Sequence, residues 1–174
     1  MVAGNLDSQG ILTLYKAQIR PCMEYGVLSW MSAAPTHTRR LDAVQRRALR
    51  LLGDGEEIPN SITSLEHRRD VAALTVCHKT QVLHTPLLHQ LGLAQHHSQR
   101  VTRQVPACNL SVLIPSSRSS QHLRTYKART ARLWNAFTAA MPGVEGMTTQ
   151  QAREAANTWR ASMPTPFLPY MNSI

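Results

Sequence analysis

Arg39-Arg40-Leu41-Asp42-Ala43-Val44-Gln45-Arg46-Arg47-Ala48-Leu49-Arg50-Leu51-Leu52-Gly53 is the most regular stretch of the chain. At about 100° per residue, Leu41, Val44, Ala48, Leu51 and Leu52 gather on one face, the spacing of an amphipathic helix. Arg39, Arg46 and Arg50 fall opposite that face, and Arg40 and Arg47 flank its seam. Gly53 is the expected C-cap, and Thr36 or Thr38 the expected N-cap, after the break at Ala33-Ala34-Pro35. A helix over about 38–52 follows, apolar on one side and rich in guanidinium groups on the other.

Upstream, Leu12, Tyr15, Ile19, Met23, Gly26 and Trp30 recur at three- and four-residue spacing, which predicts a helix opening at Ser8. Pro21 lies inside it and should kink the helix or divide it in two. Downstream, Asp54-Gly55-Glu56-Glu57-Ile58-Pro59-Asn60 is a turn-rich acidic loop. A third helix is expected over about 64–84, capped by Ser64, with Leu65, Ala72, Val76 and Leu83 as its stripe and Val71, Leu74 and Cys77 widening it. Pro86–Leu91 suits a short helix with Pro first.

Residues 92–119 look irregular apart from Leu110–Ile114, which alternates weakly enough for one short strand. A fourth helix over about 120–141 places Leu123, Tyr126, Leu133, Trp134, Phe137 and Met141 together, with Arg124, Arg129 and Arg132 away from that face. Thr148-Thr149-Gln150-Gln151 fits a capping box. It opens a fifth helix with Ala152, Ala155, Ala156 and Trp159 on its apolar side. The expected fold is mainly α, about five helices with irregular connections and at most one short strand. It divides into residues 1–60 and a helical extension over 61–174.

The 174 residues carry a formal charge of +9, from 16 Arg and 3 Lys against 10 acids. That balance suits a polyanionic partner. Seven basic residues oppose three acids over residues 1–50, and eight basic residues meet none between Asp70 and Glu145, whereas an ordinary solvated surface mixes signs. With 43% hydrophobic residues the chain is too apolar for a disordered basic tail. Three Cys cannot build a disulfide framework. No apolar run approaches the ~20 residues of a membrane span, and Met1–Asp7 lacks the features of a secretory signal. An intracellular setting, nucleus or cytoplasm, is expected.

No GxSxG, HExxH, phosphate-binding loop or CxxC pair occurs, and the only adjacent carboxylates, Glu56-Glu57, sit in a turn. Two-metal phosphoryl chemistry needs carboxylates that bridge ions about 4 Å apart, so no catalytic residue is expected. Cys77, His78, His84, His89, His96, His97 and Cys108 follow no structural zinc spacing. No metal and no cofactor are expected. Trp30, Trp134 and Trp159 could stack on bases, but Trp134 and Trp159 occupy apolar faces and are expected to pack. The arginines remain; they bind phosphate in bidentate fashion with salt-sensitive affinity.

Leu14-Tyr15-Lys16-Ala17-Gln18-Ile19-Arg20-Pro21-Cys22-Met23-Glu24-Tyr25-Gly26, followed by Trp30, resembles the "LYK..(I/V)RP..EYG...W" block of non-LTR retrotransposon reverse transcriptases, jockey-like classes especially. Arg39–Gly53 is similar to the "LD.VQRRA.R...G" helix that follows it there. Ser64–Leu74 resembles the "SLEHRR.VA.L" segment, and Arg129–Asn135 the late "RT.RLWN" motif. The four blocks stand in the family's order. The polymerase fingers and palm, with the metal-binding "(F/Y)ADD" turn, precede the first block in that family, and only 13 residues precede it here.

The resemblance therefore implies thumb and post-thumb regions without the active site. Residues 1–60 would be a thumb-like helical hairpin, lying along an RNA or RNA–DNA duplex. Lys16, Arg20, Arg46, Arg47 and Arg50 are the matching basic positions; Arg39, Arg40, Arg124, Arg129 and Arg132 complete the expected nucleic-acid contacts. Glu24, Tyr25 and Trp30 would otherwise build packing against a palm. Two rival expectations stand beside this one. Either the first helix binds a protein partner, such as a polymerase palm or a second copy, or the chain is the product of a decayed reading frame.

Overall fold

The computed structural model describes residues 7–51, 62–96 and 110–164. It is mainly helical, as expected, and among the described residues contains no sheet. The chain forms two compact units, Met1–Leu65 and Glu66–Ile174, a few residues beyond the expected boundary at 60.

The first unit begins with α1 (Ser8–Leu14), which passes through a π-helical turn, Tyr15–Ile19, into α2 (Arg20–Glu24). Asp7, not Ser8, is the N-cap, its carboxylate accepting from the Gly10 N–H at 2.8 Å. Pro21 neither breaks nor divides the run. A proline ring clashes with the carbonyl four residues before it and has no N–H to offer. The preceding turn widens, and the Arg20 N–H reaches five residues back to the Tyr15 carbonyl. The run ends at Glu24, because Gly26 adopts φ +60°, a left-handed conformation that glycine takes readily. Gly26 was expected on the helical apolar face; it is instead the break. The short α3 (Val27–Trp30) follows.

α4 (Pro35–Arg50) starts earlier than expected. Pro35 takes the first helical position, where its fixed φ suits the helix and its missing N–H costs nothing. Ala34 is thus the N-cap, and the Thr38 hydroxyl donates to the Pro35 carbonyl at 3.2 Å. The core of this unit joins Tyr15 and Met23 to Ala48 and Leu65, with Leu41 and Ile62 against them. The buried face of α4 is rotated from the expected one toward Gln45. That side chain is buried because its amide donates to the Thr63 carbonyl at 3.2 Å, which offsets its desolvation. Val44 and Leu51 stay 46% and 54% exposed. Leu52 and Gly53 lie outside the described residues.

The second unit packs α5 (Leu65–Gln81, from Glu66 on), α7 (Tyr126–Ala140) and α8 (Thr149–Ala161) around Leu74, Cys77, Leu133, Trp134, Phe137, Ala156 and Trp159. Phe137 meets Trp159 edge-on at 5.5 Å between ring centres, so two of the tryptophans pack as expected. The fourth expected helix is broken at Arg124–Thr125 into α6 (Ser120–Leu123) and α7. Pro86–Leu91 is a 3-10 turn. Leu110–Ile114 is no strand; it makes one antiparallel bridge, Gln95 to Val112. The bridge is held from α7: the Asn135 amide accepts from the Val112 N–H and donates to its carbonyl, both at 2.9 Å, and the Trp134 indole donates to the Leu110 carbonyl. The capping box at Thr148 and Gln151 forms in both directions.

Candidate nucleic-acid interface

α4 buries only Gln45 and Ala48 fully, so most of its circumference meets solvent. Arg39, Arg40, Arg46, Arg47 and Arg50 are all exposed. Arg39, Arg46 and Arg50 form one row, and Arg40 and Arg47 a second, about 90° round the helix. From Arg39 to Arg50 the rows run about 16 Å at 1.5 Å per residue. None of the five takes part in an ion pair among the described residues. Arg47 and Arg50 also lie in the last turn, where positive charge suits the helix dipole.

The other predicted positions differ. Arg20 pairs with Glu24 at 3.1 Å on the same helix, and Lys16 is half-buried and engaged within the chain. In the second unit Arg124 and Arg132 are half-buried, and Arg132 too is engaged within the chain. Arg129 does not face outward as its helical position suggested. Its guanidinium donates to Asp70 Oδ1 through Nε at 2.9 Å and Nη2 at 2.8 Å, and to Glu66 at 3.0 Å. Burial works against the Arg129 charge, but Asp70 and Glu66 outweigh it and hold the group above its ordinary range. It is a structural cation and is left out of the interface.

The same carboxylate reaches a second guanidinium that sequence reasoning missed. Asp70 Oδ2 accepts from Arg160 Nε at 2.9 Å, with both side chains fully buried. Arg160 also donates to the carbonyls of Met163 and Pro164. Two cations and two carboxylates (Glu66 included) thus cancel inside the unit, joining α5, α7 and α8. Glu66 and Asp70 stand one turn apart on α5, the one sequence signal that pointed here. A further link between α5 and α8 joins His67 to Asn157 at 2.7 Å.

Three further titratable groups in this unit are set by burial. Burial pushes the Cys77 thiol up, and burial, followed by the nearness of Cys77, does the same to the Tyr126 phenol. Burial holds the His78 imidazole below its usual range, against the opposing pull of the Val144 and Met147 backbone. Among the described residues no three His, Cys, Asp or Glu side chains gather as a metal site; His97 and Cys108 lie outside them. No described helix is long and apolar enough to cross a membrane. The chain matches no protein-family model, no curated protein and no solved structure.

Proposed function

We propose that the chain is a helical nucleic-acid-binding module of the kind that the thumb of a non-LTR reverse transcriptase supplies, with no catalysis of its own. Its partner is an RNA or RNA–DNA duplex, held by phosphate contacts. The observation that carries this reading is the exposed double row of arginines on α4, free of ion pairing among the described residues. A solvated helix face ordinarily mixes signs; here Asp42 is the only acid on a helix with five arginines.

Five phosphates neutralised give a slope of about −4.5 for log affinity against log salt. Between 50 and 200 mM salt the affinity should therefore fall about 500-fold. Fluorescence anisotropy with a labelled RNA–DNA hybrid measures this directly, and a flat response refutes it. The protein-interaction reading has its own support in the exposed Leu14, Ile19, Val44 and Leu51 of the first unit. It predicts salt-insensitive self-association in sedimentation experiments.

A further inference from the structure

We propose that Tyr25 is a stacking platform for an unpaired base of the nucleic acid whose phosphates α4 holds; this rests on the reading above. Tyr25 is 86% exposed, whereas Tyr15, Trp134, Phe137 and Trp159 are all buried. An exposed aromatic alone is unremarkable on a protein surface; what distinguishes this one is how firmly its backbone is set. Its N–H donates to the Pro21 carbonyl at 2.9 Å, and its carbonyl accepts from the Trp30 indole at 3.0 Å. The next residue is Gly26 in its left-handed turn. The ring therefore stands on a braced corner between α2 and α3, and it loses only two side-chain torsions on binding, so little ordering entropy opposes a contact.

The occupant follows from charge and shape. The described part of this unit is basic, and its one acid beside Tyr25, Glu24, is neutralised by Arg20 at 3.1 Å, so a polyanion meets no bare carboxylate there. Inside a duplex each base is covered by its neighbours, and only an unpaired or terminal base offers a face to an aromatic ring. Tyr25 would thus give the module a preference for a duplex flanked by single strand, a distinction that phosphate contacts along α4 do not supply.

The test uses the full chain, anisotropy, and two probes: a blunt RNA–DNA hybrid and the same hybrid with a short single-stranded overhang. Stacking of one base predicts about 5- to 150-fold tighter binding of the overhang form. Tyr25→Phe should keep that preference and Tyr25→Ala should lose it, while the salt slope, set by the arginines, stays. A wild-type protein that binds both probes alike with a steep slope overturns the assignment of Tyr25 and leaves the module's function standing. So does a preference that survives Tyr25→Ala, or a dimer in sedimentation that this substitution abolishes, since the ring would then be covered by protein. Failure to bind either probe overturns both.

Discussion

Replacing Asp70 by Asn should destabilise the second unit severely. The carboxylate is fully buried and accepts three charged hydrogen bonds, two from Arg129 and one from Arg160. Asparagine keeps the shape but removes the charge and turns an NH2 toward one of the guanidiniums. Arg160, itself fully buried, would then face a donor where it had an anion. Breaking a buried pair from one side costs about 3–5 kcal/mol, a large share of the 5–15 kcal/mol typical of a domain. With a urea m-value of about 1–3 kcal/mol/M, the midpoint followed by circular dichroism should drop by about 1 M or more. Removing both buried members together, Asp70→Leu with Arg160→Met, should recover much of the loss, because well-packed apolar groups often replace buried ion pairs at little cost. A midpoint shift below about 0.5 M for Asp70→Asn would sink the account of this cluster as the unit's electrostatic centre.

Converting Arg46, Arg47 and Arg50 to Gln leaves two cations on α4, and the salt slope should fall from about −4.5 to about −1.8, read by anisotropy; Arg129→Gln, by contrast, should leave the slope unchanged. His78 is held below its ordinary pKa, so the unfolded chain binds the proton more readily. Stability is then fully present above the unfolded value of about 6.5 and is lost as pH falls through and below it; urea midpoints between pH 7 and 5 should decline, less steeply in His78→Gln. Asn135→Ala removes both clamps on Val112 and should cost about 1–3 kcal/mol, with hydrogen exchange at Leu113 accelerating first.

What could be read in the sequence was whatever depends on neighbours along the chain. The amphipathic pattern of α4, the capping box at Thr148 and the packing of Trp134 and Trp159 all follow from local spacing. Three features escaped for physical reasons. Pro21 was expected to kink the helix or divide it in two, but a widened turn absorbs it, and nothing local distinguishes those outcomes. Gln45 reads as polar and solvated until the Thr63 carbonyl, 18 residues on, satisfies it. Arg129 stands in a stretch without acids from 71 to 140, yet its partners lie just before that stretch, on a helix it reaches only through folding. Counting charge along the chain therefore misplaced Arg129 on the surface, whereas the five arginines of α4 are exposed.

That difference sets up a test in which function and stability come apart. Arg46 and Arg50 stand one turn apart, as do Arg47 and Arg50, and like charges at such spacing weaken a helix by about 0.2–0.5 kcal/mol per pair. The core beneath them is small: Tyr15, Met23, Ala48 and Leu65, with two partly buried neighbours. Against that repulsion, Arg47 and Arg50 lie in the last turn, where each gains about 0.3–1 kcal/mol from the helix dipole. The two effects oppose each other, so the Arg46, Arg47, Arg50→Gln variant should change the stability of the first unit by no more than about 1 kcal/mol, while it loses affinity for the hybrid. Were the arginines merely a solvated face, the same substitutions would leave binding and its salt slope where they were. A larger loss of stability together with affinity would show instead that these side chains hold the unit together, and that α4 is no free surface.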